Sequence, residues 1–227
     1  MSLRAIVFDF DGVIANSEPL HFRGYRDVLA EEGITLAESD YYAQYLGFDD
    51  VGAFQAIGQQ HGAAWTGGQI KNMVARKAVR LEGLERDGAI LFPGAADAVR
   101  RAAARVPIAI ASGARGAEIR RVLNRENLAG YFTAIVAAED TAASKPAPDP
   151  YLRALTLLAP ATGNNLGGAE CVAIEDSVWG LASARSAGLK TVGVTHTYEA
   201  SALSAADLVV GSLDALDIEQ LVKLCSR

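Results

Sequence analysis

Four side chains without a polar atom, Ala5-Ile6-Val7-Phe8, run straight into Asp9-Phe10-Asp11-Gly12. A run that short and that apolar, stopped by acids and a glycine, is the pattern of a strand buried on both faces meeting a turn. The same form returns at Ile108-Ala109-Ile110-Ala111 before Ser112-Gly113, at Ala134-Ile135-Val136 before Ala137-Ala138-Glu139-Asp140, at Val172-Ala173-Ile174 before Glu175-Asp176, and at Thr191-Val192-Gly193-Val194. Helical segments separate these runs. Asp149-Pro150 before Tyr151-Leu152-Arg153-Ala154-Leu155 reads as an N-cap followed by proline at the first helical position, and Gly188 stops a helix beginning near Ser177. Doubly buried strands alternating with helices specify a doubly wound α/β core, a parallel sheet covered on both faces. Its ligand crevice is expected at the C-terminal ends of the strands.

Residues 16–88 break this rhythm, with helical periodicity and no convincing buried strand. Glu18 to Glu32 places Phe22, Tyr25, Val28 and Leu29 on one side and ends at Gly33; Lys71 to Leu84 is a second helix. Between them Gly47, Gly52, Gly58, Gly62, Gly67 and Gly68 obscure the pattern. The expected organisation is therefore a catalytic core of residues 1–15 and 89–227 with a small inserted helical cap domain at 16–88. Entering directly after the first acidic turn, the insertion is expected to act as a lid.

Composition narrows the class of ligand. Hydrophobic residues make up 50% of the 227, enough for a sizeable core, while the formal net charge is −6 without long Lys/Arg runs. Nucleic acids and acidic membranes require clustered positive charge, so neither is expected as a partner, and a small soluble molecule is. Cys171, in the apolar run Cys171-Val172-Ala173-Ile174, and Cys225 are the only cysteines, which argues against a disulfide framework and for a reducing cytoplasm. With so short an N-terminal lead into the first strand no cleavable signal is expected, and no stretch approaches the ~20 apolar residues of a membrane helix.

Asp9 and Asp11 crowd one turn, and Glu175-Asp176 adds two more carboxylates at the end of another strand. Like charges at such distances are costly unless a cation or a shared proton relieves them. A hard divalent cation with oxygen ligands supplies that relief, and magnesium suits a few carboxylates combined with a substrate phosphate. Any one acidic pair could merely cap the helix that follows it. The order along the chain says more: Asp9-Phe10-Asp11-Gly12-Val13, then Ser112 after a strand, then Lys145 in Ser144-Lys145-Pro146-Ala147-Pro148-Asp149, then Glu175-Asp176-Ser177.

With these four motifs the chain resembles the haloacid dehalogenase-like phosphohydrolases, in their beta-phosphoglucomutase and phosphoglycolate phosphatase-like (CbbY-like) branch. The resemblance spans nearly the whole chain and is weakest in the helical insertion. It implies a Rossmann-like core and a magnesium-dependent phosphatase or phosphomutase in which Asp9 is the nucleophile and passes through an aspartyl-phosphate. It further implies that Asp11 is the general acid and base, that Ser112 and Lys145 hold the phosphoryl oxygens, and that Mg2+ is bound by Asp9, the Asp11 carbonyl and Asp176 with Glu175 close by. A receiver domain has similar ingredients, but its phosphorylated Asp lies on a later strand than the acidic pair, which is not the order here.

Gly12 and Gly113 are expected to form tight turns whose N–H groups face the phosphate. The run from Asp11 to Phe22 matches the sugar-phosphomutase branch and places His21 on the lid side of the site. Lys77, with Arg76, resembles the lid lysine of that branch, or else belongs to a solvated basic face. Trp65 and Trp179 read as packing residues rather than substrate platforms. A mutase must also grip a second phosphate. The branch uses an Arg on the lid loop and a Ser two residues after the motif Ser; here the loop is Leu46-Gly47-Phe48-Asp49-Asp50, an acidic loop expected to repel a distal phosphate, and Ala114 replaces the Ser, with Arg115 as a partial substitute. The expectation is hydrolysis of a small phosphorylated metabolite, a sugar phosphate, with a beta-phosphoglucomutase-type mutase as the alternative and a catalytically silent binding protein as the third reading.

Overall fold

The computed structural model describes residues 2–46, 48–86 and 90–226. The chain divides into two compact units, Met1–Asn16 with Leu91–Arg227, and Ser17–Ile90. The first unit holds β1 (Ala5–Phe8), and the second holds α1 (Glu18–Glu31), α2 (Glu38–Asp40) running into one π-helical turn at Tyr41–Tyr45, α3 (Asp50–Gln60) and α4 (Gly67–Arg86). The first unit then resumes with α5 (Ala95–Ala103), β2 (Ile108–Ala111), α6 (Gly116–Arg125), β3 (Phe132–Val136), α7 (Asp149–Leu158), β4 (Cys171–Glu175), α8 (Val178–Ser186), β5 (Lys190–Val194), β6 (Leu208–Val210) and α9 (Ile218–Cys225).

The six strands form one sheet in the order β3-β2-β1-β4-β5-β6, and every pairing is parallel. β1 is central, with Phe8 opposite both Ile110 and Ile174. The chain winds outward from it in one direction through β2 and β3 and in the other through β4 to β6. The strand order therefore reverses beside β1, where the C-terminal ends of β1, β2 and β4 come together.

The period of two along the strands sorts side chains by size. Ala5, Val7, Ala109, Ala111, Cys171 and Ala173 share a buried cluster with Tyr151, Ala154, Leu155 and Leu158 of α7 and Ala184 of α8. The larger Ile6, Phe8, Ile108, Ile110 and Ile174 alternate with them and are also fully buried. A sheet face lined with small residues lets α7 settle close, and it leaves room for the phenol of Tyr151, which is fully buried. The entry to and exit from the helical unit are tied within the first unit. Ala15 bridges Leu91, and the Phe92 amide donates to the Ile14 carbonyl at 3.0 Å.

The helical unit has its own core. Phe22, Tyr25, Val28 and Leu29 of α1 meet Phe54 and Ile57 of α3 and Ile70 and Met73 of α4, with Tyr25 and Phe54 edge to face at 5.1 Å. α4 starts four residues before the expected Lys71 because Thr66 and Gln69 form a capping box. The Gln69 amide donates to Thr66 Oγ1, and the Gln69 side chain accepts from the Thr66 amide. Trp65 packs against this core, in keeping with its reading as a packing residue. Trp179 does not match that reading: one residue into α8, it is 55% exposed. No helix among the described residues is long and apolar enough to cross a membrane.

Phe54 is fully buried at the centre of the helical core. Phe54→Ala is expected to destabilise this unit by ~3–5 kcal/mol. Urea unfolding read by Trp65 fluorescence in a Trp179→Phe background checks it, since Trp65 then reports the helical unit alone.

Candidate active site

β1 ends at Phe8, and Asp9 follows with its amide donating to the Ile174 carbonyl at 2.9 Å, so its backbone is still tied to β4. Asp9 Oδ1 accepts from the Phe10 amide at 2.7 Å. Its other oxygen, Oδ2, lies 2.9 Å from Lys145 Nζ. Lys145 arrives from the loop before α7 and also donates to Glu175 Oε1 at 2.7 Å. Asp9, Glu175 and Asp176 are all buried, and one carboxylate oxygen from each lies within 4.8 Å of the others. The structure thus brings together Asp9, Lys145, Glu175 and Asp176 from three separate stretches of sequence.

Charge is out of balance in this cluster. Three carboxylates face one ammonium, away from water. Burial, with Glu175 and Asp176 adding repulsion, holds the Asp9 carboxyl well above the usual range despite Lys145. Burial and Glu175 push Asp176 up to about 7. Burial alone would lower Lys145, but Asp9 and Glu175 outweigh it and raise its pKa above the ordinary lysine value. An oxygen-only donor set with excess negative charge fits a hard divalent cation such as Mg2+. The described residues offer no other cluster of three such ligands.

Two glycines make the cluster possible. Gly12 has φ +74°, and a Cβ there would lie 2.0 Å from Asp176 Oδ2. Gly180, in the first turn of α8, would set a Cβ 2.0 Å from both carboxylate oxygens of Glu175. Any side chain at either position would displace an acid.

The other expected site residues fall as follows. Asp11 lies in the turn immediately after Asp9 and is partly exposed. Ser112 follows β2 and is buried, its amide bound to the Val136 carbonyl and its Oγ accepting from the Ala114 amide at 3.1 Å. Gly113 and Arg115 are exposed at the start of α6, and a Cβ on Gly113 would meet nothing within 4 Å. Gly113 thus needs no glycine for steric reasons.

His21 and Lys77 belong to the helical unit. Lys77 is not part of a solvated basic face; it is 1% exposed. Its ammonium donates to His21 Nδ1 at 2.9 Å, pairs with Asp50, and lies 4.1 Å from the centre of the Tyr25 ring. An ammonium has no lone pair, so His21 Nδ1 is the acceptor and carries no proton. Arg76 instead forms surface pairs with Glu31 and Glu32. The acidic run at 49–50 is not a free negative loop either. Asp49 caps α3 by accepting from the Gly52 amide at 2.6 Å, and Asp50 is held below the ordinary carboxylate range because Lys77 outweighs its burial. Gly47 lies outside the described residues, as do the expected domain limits at 88 and 89.

Three residues near the cluster escaped sequence reasoning. Tyr151 donates its hydroxyl to Glu175 Oε1 at 2.6 Å. His196 after β5 donates from Nδ1 to the Gly12 carbonyl at 3.0 Å and stacks on Phe92 at 3.9 Å between ring centres. Thr197 hydrogen-bonds Asp176. A polar Thr195-His196-Thr197 directly after the apolar Thr191–Val194 run was the available signal for the last two.

A haloacid dehalogenase-like hydrolase family model matches residues 3–188. The chain belongs to the haloacid dehalogenase-like hydrolases. It is 30% identical to protein CbbY of Rhodobacter capsulatus over 99% of this chain and 100% of that one. It is 29% identical to hexitol phosphatase B of Escherichia coli K12 over 84% of this chain and 82% of that one. A crystal structure of a CbbY variant from Rhodobacter sphaeroides in complex with xylulose-(1,5)-bisphosphate superposes with a TM-score of 0.82 at 25% identity, covering 94% of this chain and 96% of that one. The doubly wound core and the CbbY-like branch expected for this hydrolase both hold.

The raised carboxyls set a pH dependence for the metal-free protein. Asp176 takes its proton near pH 7 when folded and near ~3.9 when unfolded. The folded state therefore binds more protons between these values. The associated stabilisation is complete below about pH 4 and is lost as pH rises through about 7, and Asp9 acts in the same direction. The urea midpoint of protein kept in chelator is expected to fall between about pH 5 and about pH 7.5, and Asp176→Asn should flatten part of that fall.

Proposed function

We propose that this chain is a magnesium-dependent phosphatase that hydrolyses a small phosphorylated metabolite, a sugar phosphate, through an aspartyl-phosphate on Asp9. The observation that carries the reading is the Lys145 ammonium, bonded at once to Asp9 Oδ2 at 2.9 Å and Glu175 Oε1 at 2.7 Å at the C-terminal edge of the sheet. A carboxylate attacking a phosphate ester is one anion approaching another, and a fixed cation on the nucleophile's oxygen is what such an attack requires. Membership of a hydrolase family, similarity to a named sugar-alcohol phosphatase and a fold shared with a bisphosphate-bound CbbY support the same class of substrate.

Asp9 attacks phosphorus, and the bond from phosphorus to the leaving oxygen breaks. Asp11 gives that oxygen its proton, then takes one from the water that attacks the phosphorylated Asp9, so inorganic phosphate leaves and the carboxylate is regenerated. Lys145 holds charge on the transferring group. Ser112 and the Gly113 amide orient its oxygens, whereas the Gly12 amide, expected to face the phosphate, is bonded to the Ala15 carbonyl at 2.9 Å. Asp9 and Asp176, with the Asp11 carbonyl and Glu175 nearby, are the residues that would hold Mg2+. When bound it supplies the positive charge this acidic cluster lacks. Ala114 offers no hydroxyl for a second phosphate, which favours hydrolysis over a mutase cycle.

A phosphate-release screen over sugar phosphates, phosphoglycolate and nucleotides with Mg2+ tests the proposal. Asp9→Asn is expected to abolish release while the protein remains folded; activity above a few per cent of wild type would sink the mechanism. Asp11→Asn should cost ~10²–10⁴-fold on sugar phosphates and far less on p-nitrophenyl phosphate, whose leaving group needs no proton. Equal losses on the two substrates would remove Asp11 as the acid.

Chelation is expected to silence the enzyme, and Ca2+ should fail to restore it, because its larger and looser shell misplaces the attacking carboxylate. Full turnover in Ca2+ alone would contradict this.

A further inference from the structure

Resting on the phosphatase reading, we propose that Tyr151 is a positioning residue for the reaction: through Glu175, its hydroxyl holds Lys145 on the oxygen of Asp9. The chain of contacts is continuous. Tyr151 Oη donates to Glu175 Oε1 at 2.6 Å, Lys145 Nζ donates to that same oxygen at 2.7 Å, and Lys145 Nζ lies 2.9 Å from Asp9 Oδ2. Lys145 also sits over the Tyr151 ring, 5.4 Å from its centre.

The geometry leaves Glu175 little freedom. It is fully buried, its second oxygen accepts from Ser177 Oγ at 3.3 Å, and the Cα of Gly180 closes the remaining side. Of its three side-chain donors, Tyr151 is the one anchored in the core, since its ring is packed among the alanines of the sheet face. Lys145 is a flexible stem from a loop, and its second partner is the nucleophile itself. A carboxylate held only by Lys145 and a long Ser177 bond can turn with the ammonium. One pinned by a rigid phenol sets where the ammonium must be. Backbone reasoning gives the same role to the link between Lys145 and Tyr151: both belong to the stretch that enters α7, so docking of this helix on the small-residue face places the cation and its anchor in one step.

Tyr151 touches neither Asp9 nor the transferring group, so it works by fixing geometry. Loss of its hydroxyl should act on turnover rather than on substrate or metal uptake. Removal of one hydrogen bond to a charged partner is expected to cost about tenfold in rate where the whole strength of the bond is not transmitted.

The experiment compares Tyr151→Phe with wild type, Lys145→Met and the double variant, using p-nitrophenyl phosphate and Mg2+. For Tyr151→Phe the expected result is a kcat about tenfold lower, with KM and the half-saturating Mg2+ concentration within about twofold and little change in melting temperature. In the Lys145→Met background the same substitution should add no further loss. Wild-type kcat in Tyr151→Phe, an equal loss in the Lys145→Met background, or recovery at high Mg2+ would each overturn the proposal. A second arm needs no turnover: urea midpoints of the four chelated proteins should be non-additive, and additive midpoints would also overturn it. Should wild type release phosphate from no substrate, the phosphatase reading fails, while the unfolding arm still decides whether Tyr151 and Lys145 are coupled.

Discussion

A single buried ammonium, that of Lys145, holds two carboxylates that would otherwise repel each other at the end of the central strand. Removing one partner of a buried ion pair is costly, ~3–5 kcal/mol, because the other charge is stranded away from water. β1 must deliver Asp9, β4 must deliver Glu175 and Asp176, and the loop before α7 must deliver Lys145, all to within a few ångströms. The parallel register of β1 with β4 and the absence of a side chain at Gly12 and Gly180 are consequences of that demand. What remains uncompensated, one excess carboxylate or more, leaves the cluster with a surplus of negative charge.

The sheet's two faces contribute differently to the same end. Isoleucines and Phe8 fill one side, while the other is lined with alanines, Val7 and Cys171. Close approach of α7 to the small side carries a phenol to the edge where the carboxylates gather. Packing and electrostatics are coupled here, since widening that face with larger residues would lift α7 and move both Lys145 and Tyr151 with it.

The strands buried on both faces were legible because nothing but apolar residues can occupy them, and their acidic ends marked the crevice edge. β6 was not legible: Leu208, Val209 and Val210 are only partly buried at the edge of the sheet and too few to show a period. Asp9, Ser112, Glu175 and Asp176 could be read in order along the chain because each ends or follows a strand, and Lys145 because of the Ser144–Asp149 motif that carries it. Tyr151 could not, because a tyrosine in an apolar helix stripe looks like core until its hydroxyl is seen 24 residues away on Glu175. His196 is still more distant from its partner, Gly12, at 184 residues. In the helical unit Asp50 read as a free negative charge because its ion pair with Lys77 joins two different helices. The neutralised pair leaves a weaker field than the bare sequence suggests.

The bridge between Ala15 and Leu91, with the Phe92 amide on the Ile14 carbonyl, closes the gap in the core chain where the helical unit is inserted. Because the two stems are stapled together, the sheet experiences residues 17–90 as one surface loop whose ends already meet. Loop-closure entropy grows only as the logarithm of length, so seventy residues in place of seven would cost the core only about 2 kcal/mol more. The stapled stem therefore acts as a graft junction. Evolution, or an engineer, can exchange the whole helical unit for one of another size or surface without shifting β1 or the carboxylates at its tip.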